Sequence, residues 1–77
     1  MLDRHFYPAR AAGSIAPPPR LALAVRALID RDGEVATAER LSLGRTTVAR
    51  IAGRLKCRRG SILMAARALD IDLEGTP

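Results

Sequence analysis

The chain has 77 residues, enough for one domain with a small core. Apolar residues make up 48% of it but aromatic residues only 3%, and this Ala/Leu-rich composition favours helices over sheets. The formal net charge is +5, and the single cysteine excludes an intramolecular disulfide. We therefore expect an all-α fold, a small bundle of four to five helices with a flexible N-terminal arm.

The predicted arm covers residues 1–19. Gly13, Ser14 and a run of three prolines disfavour regular structure, and the prolines favour an extended chain. The arm holds the only aromatic residues, Phe6 and Tyr7. Exposed rings gain by docking, so these two residues are expected to cover the chain's own core or to bind a second subunit or another protein.

Residues 20–77 are predicted to form the folded domain, with its first two helices at residues 20–31 and 35–42. Apolar residues in the first helix recur at the i, i+3, i+4, i+7 and i+8 spacing of a buried stripe. Asp32 and Thr37 are alternative N-caps for the second helix. The residues predicted to face the core are Leu21, Ala24, Val25, Leu28, Ile29, Val35, Ala38 and Leu41.

A third helix is predicted at residues 45–55, with Val48, Ile51, Ala52 and Leu55 facing inward. Its other side carries small residues and arginines and no acid. Between positions 40 and 67 the chain has eight basic residues and no Asp or Glu. A block of one sign favours a polyanionic partner over a merely soluble basic surface.

A basic loop at residues 56–60 is predicted to precede a fourth helix at residues 62–69, with Ser61 as its N-cap. Arg58 and Arg59 stand directly before the positively polarised end of this helix, which favours phosphate binding. The residues predicted to pack inward are Ile62, Ala65, Ala66, Leu69, Ile71 and Leu73.

Cys57 lies among cationic neighbours, which predict a lowered pKa and thiolate character. A redox role and simple packing within the loop are both open, and packing is favoured. A lone cysteine is typical of a reducing compartment, and no apolar run approaches the ~20 residues of a membrane span. We expect a cytoplasmic, nucleoid-associated protein without a membrane partner.

The second and third helices share a pattern of small and apolar residues, namely Ala38, Leu41, Leu43 and the run Thr47-Val48-Ala49-Arg50-Ile51. This pattern resembles the helix-turn-helix of lambda-repressor-like (Xre/Cro-type) DNA-binding proteins. The resemblance extends over residues 20–73. It implies that the third helix enters the major groove of double-stranded DNA and that the protein acts as a homodimer on paired half-sites.

The resemblance also implies roles for individual side chains. Those that contact base edges would be Arg45, Thr46 and Arg50. Those that contact phosphates would be Thr47, Arg54, Arg58, Arg59 and Ser61.

The chain departs from the family pattern in the turn. Such proteins usually have Gly at the position of Ser42, where the backbone is left-handed, whereas here Gly44 follows two residues later. Either Ser42 adopts the left-handed conformation at a cost of about 1 kcal/mol, or the turn is rebuilt with Gly44 as the helix stop. A rebuilt turn would start the third helix near Thr46.

These features favour a sequence-specific, repressor-like transcriptional regulator. The alternative is an interaction module, such as an assembly subunit or an antitoxin, with Phe6 and Tyr7 binding a protein partner. RNA binding is disfavoured because the predicted folded part has no aromatic residue for stacking. One His and one Cys provide no nucleophile–base pair and no metal-ligand set, so we expect no catalytic residues, metal or cofactor.

Overall fold

The structure is a computed structural model that describes residues 14–73. In this part of the chain four helices and two short strands follow one another: β1 (Ser14–Ile15), α1 (Pro19–Asp32), α2 (Glu34–Leu41), α3 (Arg45–Ala52), β2 (Cys57–Arg58) and α4 (Arg59–Ala68). The all-α prediction is confirmed, with a small antiparallel sheet added to it. Phe6 and Tyr7, the predicted partner anchors, lie outside the described residues.

The helices enclose one apolar core. Helix α1 contacts both α2 and α3, and α2 contacts both α3 and α4. Ala38 at the centre of α2 is buried, and its small side chain allows α3 to cross closely. The core consists of Leu21, Val25, Ala38, Leu41, Val48, Ile51, Cys57, Ile62, Ala65 and Ala66, with Ile29, Leu43, Ala52, Leu69, Ile71 and Leu73 packed against it.

Three helices end in the same kind of turn. Helices α2, α3 and α4 are followed by Ser42 (φ 59°), Arg54 (φ 58°) and Asp70 (φ 57°), all in the left-handed region. After α2, the Ser42 N–H donates to the Glu39 carbonyl at 3.2 Å and the Leu43 N–H to the Ala38 carbonyl at 3.0 Å. The same pair of bonds follows α3 and α4. This is the Schellman motif, in which glycine usually takes the left-handed position.

The left-handed residue after α3 corrects one prediction. We predicted a helix to residue 55, but the turn at Arg54 ends α3 at Ala52. Leu55 then leaves the inward side and is 56% exposed. The prediction failed because a long arginine side chain carries no sequence signal for a helix stop.

The inward side of α2 also differs from the prediction. Val35 is 54% exposed, whereas Thr37 is buried. At about 100° per residue, Val35 lies roughly 160° around the helix from Thr37, so both cannot face the core. The Thr37 hydroxyl is satisfied inside the helix, since it donates to the Gly33 carbonyl at 2.8 Å.

Neither predicted cap of α2 is formed. Gly33 is the N-cap, without a side-chain cap hydrogen bond. Asp32 instead belongs to α1 and forms an ion pair with Arg31 at 3.0 Å. Thr37 is buried within the helix rather than at its start.

The chain is part of the fold from Ser14 onward, so the predicted arm is too long. Strand β1 pairs with β2 in antiparallel register, Ser14 with Arg58 and Ile15 with Cys57. Pro17 is fully buried, and its carbonyl accepts a hydrogen bond from Arg54 Nε at 3.2 Å. A pairing between segments more than forty residues apart is not encoded by any local pattern.

The same pairing changes the start of α4. The predicted loop at residues 56–60 contains β2, and the extended Arg58 is the N-cap of a helix that begins at Arg59. Ser61 was predicted to be the N-cap, but it is the third residue of this helix. The strand sets the starting conformation, so the capping preference of serine does not decide it.

The turn after α2 makes a first prediction. Replacing Ser42 with glycine removes a Cβ that costs ~1–2 kcal/mol in the left-handed region, while glycine costs roughly 0.5–1 kcal/mol of backbone entropy. We expect S42G to raise the free energy of unfolding by about 0.5–1 kcal/mol, measured by urea denaturation. The matched control, S61G inside α4, should lower it by a similar amount, and a destabilised S42G would contradict the left-handed turn.

The buried Pro17 makes a second prediction. P17A removes two buried methylenes and should lower the free energy of unfolding by about 1–2 kcal/mol. P19A changes an exposed proline at the start of α1, so we expect only the ~0.4–1 kcal/mol that a freer unfolded chain costs, a loss that P17A has in addition to its lost packing. Both variants loosen the unfolded chain alike, and thermal melting of the pair isolates the packing of Pro17. Equal losses in the two variants would show that Pro17 contributes no packing.

Candidate nucleic-acid interface

Helices α2 and α3 are joined by the three residues Ser42, Leu43 and Gly44. Of the two turns left open by the sequence, the first is formed: Ser42 is left-handed, and Gly44 is extended (φ −73°, ψ 158°). Gly44 is the N-cap of α3, and its carbonyl accepts the Val48 N–H at 3.0 Å. The third helix therefore starts at Arg45, so the Arg45 side chain lies in the first turn of this helix.

Helix α3 is anchored on one side and open on the other. Val48 and Ile51 have no exposed surface, whereas Arg45, Thr46 and Arg50 are exposed. With its side chains a helix is about 10–12 Å across, which fits the roughly 12 Å width of the major groove of B-DNA. The predicted base-contacting side chains are thus accessible on a rigid element.

Among residues 14–73, no carboxylate forms an ion pair with the cations around α3. Within residues 14–73, the ion pair found is the one between Arg31 and Asp32 in α1. No carboxylate in this range lies within 4 Å of Arg45, Arg50 or the other cations of the block between positions 40 and 67. The positive potential of this surface is therefore not cancelled locally.

A cleft of about 390 Å³ opens between α3 and the start of α4. It gathers four of the predicted site residues, namely Thr47, Arg50, Arg58 and Ser61. Its other lining residues are Ser14, Lys56 and Cys57. Cations and hydroxyl groups dominate its wall, and none of its described lining residues is acidic.

The other predicted site residues lie outside this cleft. Arg45 and Thr46 occupy the first turn of α3, and Arg54 holds the Pro17 carbonyl. Arg59 lines a separate cleft of about 300 Å³ with apolar neighbours that include Ile15. Adjacent arginines at the start of α4 therefore face different surroundings.

Two residues that line this cleft were not among the site residues predicted from the sequence. Lys56 lies in the basic block, and its charge was the only available signal for it. Ser14 reaches the cleft only because β1 pairs with β2, and nothing in the sequence near Ser14 indicates that.

Cys57 differs from its predicted chemistry. It belongs to the core, and its Sγ donates a hydrogen bond to the Leu55 carbonyl at 3.2 Å. Burial raises the pKa of this thiol, and the opposing effect of Arg50 is smaller. The predicted thiolate is therefore wrong, because the desolvation of the charged form outweighs the nearby cation.

This pKa makes a third prediction. Because folding raises the pKa of Cys57, the neutral thiol favours the folded state at pH values below the ordinary thiol pKa. This contribution to stability is lost as the pH rises through the pKa that the thiol has in the folded state. Since alkylation requires the thiolate, iodoacetamide at pH 8 should modify folded Cys57 much more slowly than the urea-unfolded chain. Mass spectrometry follows the rate, and free cysteine in the same buffers is the control. Equal rates in the two states would contradict the burial.

Among residues 14–73, no three His, Cys, Asp or Glu side chains are grouped to hold a metal ion. The helices described here are too short or too polar to cross a membrane. No protein-family model matches the chain, and neither a curated protein nor a solved structure matches it.

Proposed function

We propose that this protein is a sequence-specific, repressor-like regulator that binds double-stranded DNA through α3. The observation that carries the proposal is the outer side of α3, which is exposed and cationic and forms no ion pair with a carboxylate of residues 14–73, while Val48 and Ile51 on its inner side are fully buried. A helix held in this way is suited to insertion into the major groove. The lambda-repressor-like resemblance favours the same function.

The turn between α2 and α3 supports the proposal independently. Leu43 packs partly buried against the core, Ala38 of α2 is buried in the same core, and α2 contacts α3. These contacts fix α3 relative to α2, so its outer side is presented at one angle. A fixed angle is necessary for side chains to reach defined base pairs.

The first turn of α3 is proposed to read base edges. Arg45 can donate two hydrogen bonds to a guanine, and Thr46 can contact a base edge or a thymine methyl group. Recognition helices of this type contact bases with their N-terminal residues, where both side chains lie. Thr47, Arg58 and Ser61 are proposed to contact phosphates, with Arg54 and Arg59 adding further positive charge along the backbone.

One short helix reads few base pairs, so the proposal includes a homodimer on two half-sites. Helix α4 leaves Leu63 54% exposed and Met64 45% exposed. Exposed side chains of this size on one helix are compatible with a second copy packing there.

The proposal makes a fourth prediction. Selection of bound duplexes from a random pool should yield one motif repeated with two-fold symmetry. R45Q should relax the preference at one base pair of each half-site, with a loss of roughly 5- to 150-fold for the preferred base. The matched control is R26Q, which removes the same charge from the exposed side of α1 and should leave the selected motif unchanged.

The dependence of the binding affinity on salt concentration provides a second test of the same complex. If about four phosphates are neutralised per protomer, the dimer neutralises about eight, and log K should fall with log salt at a slope of about −7.2. Fluorescence anisotropy between low and moderate salt measures it. Affinity that stays flat over this range, or a pool without an enriched motif, would refute DNA recognition by this surface.

A further inference from the structure

Three positively charged side chains line the cleft beside α3. Arg50 in α3, Lys56 in the connection after it and Arg58 in β2 line the same cavity of about 390 Å³. Like charges that converge in one place repel each other, and a bound anion relieves this repulsion. The lining residues in the described part of the chain provide no carboxylate that could do so instead.

Hydrogen-bond donors in the same wall indicate the kind of anion. Thr47 and Ser61 place hydroxyl groups on the cleft. Arg58 is the N-cap of α4 and Ser61 its third residue, so the first turn of α4 opens onto the same space. Backbone N–H groups in the first turn of a helix have no partner within the helix. Several donors around a polyoxygen anion are typical of a phosphate site.

The position of Arg50 separates it from the residues at the start of α3. It lies five residues after Arg45, or about 7.5 Å along the helix axis, in the last turn of the helix. Its Nη1 donates to the Lys56 carbonyl at 3.4 Å, which directs the guanidinium toward the cleft. The four remaining N–H groups of this side chain, on Nε, Nη1 and Nη2, can contact an anion there.

We infer that this cleft binds one phosphate group of the duplex backbone and that Arg50 belongs to this phosphate site, not to the base-reading residues. The inference rests on the proposed function and deepens it. Base recognition then depends on Arg45 and Thr46, whereas the cleft fixes the depth and register of α3 in the groove. Lys56 was not among the site residues predicted from the sequence. In this inference it holds the phosphate together with Thr47, Arg58 and Ser61.

A comparison of three variants makes the fifth prediction. R50Q should weaken binding to the selected duplex and to each of its single-base-pair variants by the same factor, roughly tenfold, because a phosphate contact carries no sequence information. The salt slope should become shallower by about 1.8, because each of the two protomers loses one phosphate contact. R45Q should instead change the order of preference among these duplexes. R67Q removes the same charge from an exposed position on α4 outside the cleft and should change affinity less than threefold.

A second arm of the experiment uses no DNA. The ¹⁵N-labelled full chain is titrated with pyrophosphate at constant ionic strength, with chloride as the reference anion. We expect saturable shifts of the Thr47, Arg58 and Ser61 amide signals, weakened in R50Q and R58Q but not in R67Q. In a separate competition experiment with the selected duplex, pyrophosphate should displace the duplex more strongly than chloride of equal ionic strength. Thermal melting verifies that each variant is folded.

The outcomes separate the cleft from the wider proposal. Pyrophosphate binding in the cleft without any duplex binding would support the phosphate site as one for a free anion, overturn the duplex assignment and refute the proposed function. Duplex binding in which R50Q alters the preference at one base pair and leaves the salt slope unchanged would overturn the inference and leave the proposed function intact. Pyrophosphate shifts located elsewhere, or equal in R58Q and R67Q, would overturn the cleft as well.

Discussion

The left-handed residue that follows each of α2, α3 and α4 is the constraint on which this structure depends. Each of the three turns reverses the chain within two residues and satisfies two helix-terminal carbonyls. The positions are occupied by Ser42, Arg54 and Asp70, so each turn includes a Cβ in a strained region. After Ser42 and Asp70, packing of the next residue, Leu43 or Ile71, against the core offsets this strain, whereas Leu55 after Arg54 is exposed. Without the turn at Ser42, α3 could not lie across α2 with its cationic side outward.

The segment from Ser14 to Pro18 fixes the far end of the same helix. Arg54 is left-handed in its backbone and holds the Pro17 carbonyl with its side chain, so one residue both ends α3 and attaches it to the N-terminal segment. Strand β1 then pairs with β2 and brings Ser14 to the wall of the basic cleft. Two distant segments therefore define the surface that we propose for DNA. A deletion that tests the role of the N-terminal aromatic residues should end before Ser14, because a longer one removes part of the fold.

The sequence was sufficient for the features that depend on local periodicity. The four helices, the buried stripe of α1 and the outward positions of Thr46 and Arg50 follow from the spacing of apolar residues. It was insufficient wherever a distant contact or an unusual backbone conformation decided the outcome. Leu55 was misplaced because Arg54 ends the helix without a glycine, and Ser61 because β2 sets the start of α4. Cys57 was misjudged because charged neighbours in sequence do not show whether a thiol is buried.

The distribution of charge and strain gives the physical argument for a ligand on this surface. A chain of this size has little stability to spare, yet it places Arg50, Lys56 and Arg58 around one cleft and a strained Arg54 beside it. Selection for stability alone would favour carboxylates between these cations and glycine at the left-handed positions. Features that cost stability persist where a function requires them, and they cluster at binding sites. A polyanion that neutralises the cleft while α3 enters its groove accounts for the charge and for its position with a single contact surface.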